Sequence, residues 1–309
     1  MLLRIAPALP SLTPSATSTS RVLRVAAVQQ RWHVNVADLL AGLTEGVRLA
    51  ASNGATLVCL QELTLSPYFC SVEPTADSGL TGEDLLSGPT IRFVRDLATQ
   101  CGVTIQASLF EFADGTKGYN TAIVVGPDGA LLGTTRKLHL PVTEGYYEDQ
   151  YFDVGPATEH ATPTYDVNGA TFAVATCWDQ WFPELARLYG LQRTQVLAYP
   201  TAIGSEPGFP DFDSAPLWRH TMVAHGIANG LFIVAPNRFG TEGAITFYGS
   251  SFISDPFGRV LVEAPRDEAA VLIADLPLGQ CEDWLTAFPF FAARRPDVYG
   301  ALTAPLNEA

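Results

Sequence analysis

The chain has 309 residues, of which 47% are hydrophobic and 16% charged, which excludes a disordered protein or a charge-dense coiled coil and leaves ample material for a sizeable core. A formal net charge of −14 argues against a nucleic-acid partner, which needs clustered Lys and Arg, and favours cationic or neutral ligands. Five cysteines without regular spacing form neither a disulfide framework nor a metal motif and point to a reducing, cytoplasmic compartment; no apolar stretch reaches the length of a transmembrane helix.

Residues 1–20 (MLLRIAPALPSLTPSATSTS) lack a continuous apolar run because prolines interrupt them, so they read as a disordered extension ahead of one domain over 21–309. Their basic, acid-free, Ser/Thr-rich character also suits a transit peptide, and a misplaced start codon would give the same tail. Val22–Gln29 (VLRVAAVQ) predicts a strand, and residues 37–52 a helix with Leu40, Leu43, Val47 and Ala50 at helical spacing, stopped by Asn53-Gly54. Residues 56–60 (TLVCL) form an apolar run suited to a strand covered on both faces, completing a β-α-β unit. A helix over 90–100 and a strand over 103–110 sustain the α/β alternation.

Two stretches resemble each other, residues 121–134 (TAIVVGPDGALLGT) and 250–263 (SSFISDPFGRVLVE). Each is an apolar pair of strands broken by a Pro-x-Gly turn, so the chain reads as two halves of similar construction, each contributing a sheet. Between them come a strand at 172–175, a helix at 183–189, a strand at 196–199, a Gly/Pro/Asp-rich loop at 204–216, a helix near 217–229 and a strand at 231–235. Residues 271–275 read as the last core strand. The aromatic and basic tail at 287–299 lacks periodicity, and either crosses onto a partner subunit or covers its own.

Three charged or nucleophilic residues end predicted strands: Glu62 in QEL, Lys137 in RKLHLP and Cys177 in CWDQWFPE. Loops at the carboxyl ends of strands are the usual ligand sites of α/β sheets. Cys177 is expected at the mouth of a helix beginning near Pro183, where free N–H groups and the helix dipole favour thiolate. A thiolate attacks carbonyls, a carboxylate relays protons and an ammonium stabilises an oxyanion, so the set is chemically complete without a metal or cofactor. Lone residues of these types are more often structural, and their combination carries the reading.

In order and local context, these motifs resemble the nitrilase superfamily of carbon–nitrogen hydrolases, from about residue 22 to about residue 302. With GYYEDQYF, YPTAIGSEP and RRPDVY, the likeness is nearest to its N-carbamoylputrescine amidase branch. The resemblance implies a four-layer α-β-β-α sandwich that pairs into an extended sandwich in a dimer, a homo-oligomer built from dimers, and no cofactor. It implies a Glu62-Lys137-Cys177 triad supported by Glu148 rather than Glu144, with the backbone N–H of Trp178 helping to hold the oxyanion.

The reaction so implied is hydrolysis of the ureido C–N bond of a cationic N-carbamoyl amine through a carbamoyl-cysteine. Glu206, in a Gly- and Pro-bounded loop beyond the strand next to the catalytic one, suits an alkylammonium; a solvated loop acid is its plain alternative, with Asp211 and Asp213 as further acidic positions. Asp179 reads as a helix cap and His139 as hydrogen-bonded structure. Gln180 and Trp181 occupy the positions of the arginine pair found in the branch that cleaves N-carbamoyl-D-amino acids, which makes that substrate class less favoured. Another amidase, a nitrilase, or a non-catalytic binding protein retaining the fold remain the alternatives.

Overall fold

The computed structural model of the chain describes residues 1–10, 12, 21–75, 80–158 and 160–304. Its first half runs β1 (Leu2–Ile5), β2 (Val22–Gln29), α1 (Val36–Ser52), β3 (Leu57–Cys59), α2 (Pro89–Cys101), β4 (Thr104–Glu111), β5 (Tyr119–Val125) and β6 (Leu131–Arg136). A ribbon, β7 (Val142–Thr143) and β8 (Tyr146–Tyr147), and one helical turn, α3 (Glu148–Tyr151), lead into the second half. There follow β9 (Thr164–Val167), β10 (Ala170–Val174), α4 (Pro183–Leu191), β11 (Val196–Ala198), α5 (Ala215–Asn229) and β12 (Phe232–Ala235). A second ribbon, β13 (Phe239–Glu242) and β14 (Ile245–Tyr248), precedes β15 (Phe252–Ser254), β16 (Val260–Glu263), β17 (Ala270–Pro277) and α6 (Gly279–Ala287).

Among the described residues, one sheet has the order β1-β17-β2-β3-β4-β5-β6 and another the order β16-β15-β12-β11-β10-β9. In each, three successive strands are parallel, β2-β3-β4 and β10-β11-β12, and an antiparallel hairpin follows, β5-β6 and β15-β16. The two similar stretches of sequence therefore occupy matching positions in matching halves.

Pleating decides the layers, because successive side chains on a strand point to opposite faces. Along β2, Leu23, Val25 and Ala27 pack into a core with Phe172 and Val174 of β10 and Val196 of β11, while Ala26 and Val28 join Leu39, Leu43 and Val47 of α1. Along the second sheet Ala173 and Leu197 turn the other way, onto Leu185 and Tyr189 of α4 and Trp218 and Met222 of α5. The result is the expected α-β-β-α sandwich. As the apolar run over 56–60 required, Leu57, Val58 and Cys59 are buried on both faces.

The helices begin and end where their sequences dictate. Asn35 accepts a hydrogen bond from Ala37 N at 3.0 Å ahead of α1, and Asn53-Gly54 ends it with Gly54 at φ 83°.

One expectation about the termini needs correction. Leu2–Ile5 is no loose tail: it pairs in parallel with β17, Leu2 opposite Ala270 and Ile5 opposite Ile273, and covers an edge otherwise left with open hydrogen-bonding groups. Prolines begin only at Pro7, so this segment keeps every N–H that pairing needs; residues 11 and 13–20 lie outside the described residues. At the other end α6 leads into the aromatic tail. Of the two alternatives for the aromatic tail, the structure has it covering its own chain, with Phe290 against Trp284 of α6 at 6.1 Å between ring centroids and Phe291 lying under Arg187 of α4.

Phe172→Ala, in the layer between the sheets, is expected to lower the unfolding free energy by about 3–5 kcal/mol. Val34→Ala, at a solvent-exposed position, should stay within about 0.5 kcal/mol of wild type, and urea denaturation of both variants checks the assigned layers.

Candidate active site

Glu62 lies three residues beyond the end of β3, and Cys177 three beyond the end of β10. Both chains turn sharply there: Leu63 has φ 48° and Cys177 φ 44°, a left-handed conformation uncommon for residues with a side chain and one that points to a local constraint. Cys177 is held in it by its own N–H, which donates to Pro200 O at 2.9 Å beyond the neighbouring β11. A five-residue 3₁₀ turn, Cys177–Trp181, separates it from α4, so the thiol stands at the start of that turn rather than at the mouth of the longer helix.

Lys137, directly after β6, meets both glutamates. Its Nζ donates to Glu62 Oε1 at 2.8 Å and to Glu148 Oε2 at 2.6 Å, and all three side chains are cut off from solvent. Both carboxylates accept further hydrogen bonds. Glu62 Oε1 accepts from Asn120 Nδ2 at 2.7 Å, Glu62 Oε2 from Ala202 N at 2.9 Å, and Glu148 Oε1 from the Tyr68 hydroxyl at 2.8 Å. Glu144, the nearby alternative, is exposed.

These contacts set the protonation states. Burial works against the Lys137 charge, but Glu148 and Glu62 overcome it and hold the ammonium well above its ordinary range. Burial, reinforced by Glu62, pushes Glu148 up to about 7 against the opposing pull of Lys137 and Tyr68. The Cys177 thiol is pushed far up, first by burial and then by the Glu62 charge, with Lys137 opposing. This corrects the expectation of a thiolate favoured by a helix dipole: the resting group is a protonated thiol, because burial beside a carboxylate outweighs one short turn.

Asp179 ties two motifs together. Its carboxylate accepts from Thr176 N at 3.0 Å, capping the 3₁₀ turn, and from His139 N at 2.9 Å, with His139 Nδ1 at 2.7 Å. His139 also stacks on Phe182, ring centroids 3.6 Å apart, as hydrogen-bonded structure should. Gln180 is buried behind the turn and accepts from Trp218 Nε1 at 2.7 Å. Trp178 is half-buried, second in the turn, where a backbone N–H has no partner inside the turn.

Glu206 lies beyond β11, which pairs in parallel with β10 as its expected position required. It is half-buried and accepts from Ser214 Oγ at 3.0 Å, and burial raises its carboxyl above the ordinary range. Tyr146 and Tyr248, whose hydroxyls are pushed up chiefly by burial, are within electrostatic reach of both Cys177 and Glu206. Asp213 is paired with Arg266 instead.

Sequence reasoning missed Tyr68, Asn120 and Arg238. Arg238 is buried; its guanidinium donates to Glu62 O at 2.8 Å and to Leu63 O at 3.1 Å, clamping the strained loop, and pairs with Glu242 at 2.7 Å. Arg238, in APNRFG, shares with Lys137 only a place just past a strand, since Asn237 beside it breaks the apolar flanks that marked Lys137. Among the described residues, no group of three or more His, Cys, Asp or Glu is arranged to hold a metal ion, and no helix is long and apolar enough to cross a membrane.

The α-β-β-α fold is that of the nitrilase superfamily, and comparison with known proteins supports a hydrolase acting on non-peptide C–N bonds. The carbon–nitrogen hydrolase family matches residues 24–285, and the chain belongs to it. It is 38% identical over 291 residues to an N-carbamoylputrescine amidase of Solanum tuberosum, covering 92% of this chain and 95% of that protein. It is 37% identical over 281 residues to a citrullinase of Francisella tularensis subsp. tularensis, covering 90% and 96%. A carbon–nitrogen hydrolase from Helicobacter pylori, solved by crystallography, superposes with a TM-score of 0.83 at 30% identity, covering 92% of this chain and 99% of that one.

A folded chain that keeps the Glu148 proton up to about pH 7, when the unfolded chain releases it near 4.5, binds more protons in between. The stability contributed by that retained proton is complete below 4.5 and is lost as pH rises through 7. Thermal melts between about pH 5 and about pH 7.5 are expected to show a steeper loss with rising pH in wild type than in Glu148→Gln, because the raised Glu206 carboxyl and the lowered His225 imidazole are common to both and only the difference belongs to Glu148. Parallel pH dependences in the two proteins would show that Glu148 titrates as an ordinary carboxylate.

Proposed function

We propose that the protein hydrolyses the ureido C–N bond of an N-carbamoyl amine with a cationic far end, N-carbamoylputrescine being the best-fitting substrate, to give amine, CO₂ and ammonia. The observation that carries this reading is Cys177, held at φ 44° beside the buried Glu62-Lys137-Glu148 cluster. The similarity to proteins named for two ureido substrates supports the bond type.

In this mechanism Cys177 attacks the ureido carbon as Glu62 removes its proton, so thiolate forms only when there is an electrophile to consume it. Glu62 then protonates the departing ammonia, leaving a carbamoyl-thioester. Lys137 and the Trp178 N–H stabilise the oxyanion of each tetrahedral intermediate, and Glu148 keeps Lys137 charged and in place. Glu62 next takes a proton from water as it attacks the thioester, Cys177 leaves, and the released carbamic acid breaks down to CO₂ and amine. Glu206 pairs with the substrate ammonium. The oligomer expected of this chain is a dimer or a multiple of dimers, and its five unpaired cysteines suit a reducing, cytoplasmic setting.

Cys177→Ala is expected to abolish ammonia release from N-carbamoylputrescine while leaving the melting transition near wild type; comparable activity in that variant would end the triad reading. Lys137→Met should lower kcat on the order of 10²-fold or more. A change confined to KM would remove Lys137 from the oxyanion site.

For Glu206→Gln, KM should rise far more for N-carbamoylputrescine than for an uncharged carbamoyl alkylamine of equal length, because only the first offers a cation to pair. Equal effects on the two substrates would make Glu206 scaffold.

A further inference from the structure

The loop after β11 and the turn after β16 meet at a cavity of about 290 Å³ whose wall includes Ser205, Asp211, Asp213, Ser214, Tyr248 and Arg266. Ser214 donates to Glu206, so the carboxylate assigned to the substrate ammonium backs onto this cavity. Tyr248, on the same wall, belongs to the packed cluster that contains Cys177. The far end of a ureide extended from Cys177 towards Glu206 therefore arrives beside it.

N-carbamoylputrescine and citrulline, the substrates in the names of two similar proteins, differ at that end by one carboxylate. The residue suited to gripping a carboxylate is Arg266, but it is already engaged. Its Nη1 and Nη2 donate to the two oxygens of Asp213 at 3.1 and 2.7 Å, a bidentate pair, and its Cζ lies 5.6 Å from the Tyr248 ring centroid.

Resting on the ureido reading, we infer that Asp213 is a specificity-determining residue: by holding Arg266 in a bidentate pair it withholds the guanidinium from the substrate, so the site takes ureido amines and turns away ureido α-amino acids. A substrate carboxylate would have to replace Asp213. That exchange gains no hydrogen bonds and leaves Asp213 without its cation on a wall it shares with Asp211. An ammonium end meets Glu206 beside a wall that carries Asp211 and Asp213 against one guanidinium, and needs no exchange.

The test compares kcat/KM for N-carbamoylputrescine and L-citrulline in the full-length wild type, Asp213→Asn, Arg266→Gln and the double variant. Asparagine keeps an oxygen for Ala215 N, which Asp213 accepts at 3.2 Å at the start of α5, and the pair is half-exposed, so folding is retained. Wild type should prefer the amine. Asp213→Asn should shift the ratio towards citrulline by about tenfold or more, the effect of one freed charged hydrogen-bonding partner; the double variant should lose that shift, and Arg266→Gln alone should leave citrulline as poor a substrate as before. A wild-type preference for citrulline, an unchanged ratio in Asp213→Asn, or a shift that survives loss of Arg266 would overturn the inference and leave the ureido reading standing. Cleavage of neither ureide by wild type would overturn both.

Discussion

A lysine sealed between two glutamates is the constraint around which the rest of this protein is arranged. Three ionisable groups removed from water are tolerable only when nearly every donor and acceptor is matched, since breaking one buried pair costs about 3–5 kcal/mol. The partners come from far apart in the chain: Asn120 from β5, Ala202 from beyond β11 and Tyr68 from the loop after Glu62. The cluster thereby fastens the ends of the two sheets to each other. A sandwich packed only by its apolar layer could slide; one pinned by Glu62 to Ala202 has a single register at the site.

Strain is the second consequence. Leu63 and Cys177 adopt left-handed backbone angles immediately beyond buried strands, where a relaxed turn would carry their side chains elsewhere. Arg238 grips the carbonyls around Leu63, and the Pro200 carbonyl holds Cys177. Both restraints come from loops of the second sheet. The loop that carries Glu62 is therefore set by the packing of one sheet on the other, and Cys177 by the neighbouring strand of its own sheet.

Protonation follows from the same enclosure. Burial raises the thiol and the Glu148 carboxyl, while Lys137 stays charged because two carboxylates outweigh its own desolvation. In the proposed reaction this favours a nucleophile generated on demand over a standing thiolate, which would be open to oxidation. The outer cavity shows the same logic in wetter surroundings, where Asp213 neutralises Arg266 and Glu206 is left to a single serine.

Much of this was legible in the sequence because it is local. Apolar runs marked β2 and, with their Pro-x-Gly turns, the two hairpins, Asn-Gly and Pro signalled helix ends, and the motifs around Glu62, Lys137 and Cys177 put all three beyond strand ends. Asp179 as a cap and His139 as structure were also readable, since each depends on neighbours a few residues away or on one adjoining motif. What the sequence could not show depends on distance in the chain. Leu2–Ile5 looked like a loose tail because its partner β17 lies some 270 residues on, and Arg238 looked ordinary because the carbonyls it holds belong to another sheet. The thiol's resting state went the same way: a turn predicts a dipole, but only the assembled sandwich decides how much water and which carboxylate surround the sulfur. Local pattern chose the elements and the reactive residues, and tertiary packing chose their charges, because electrostatic energy in a protein depends on what is near in space.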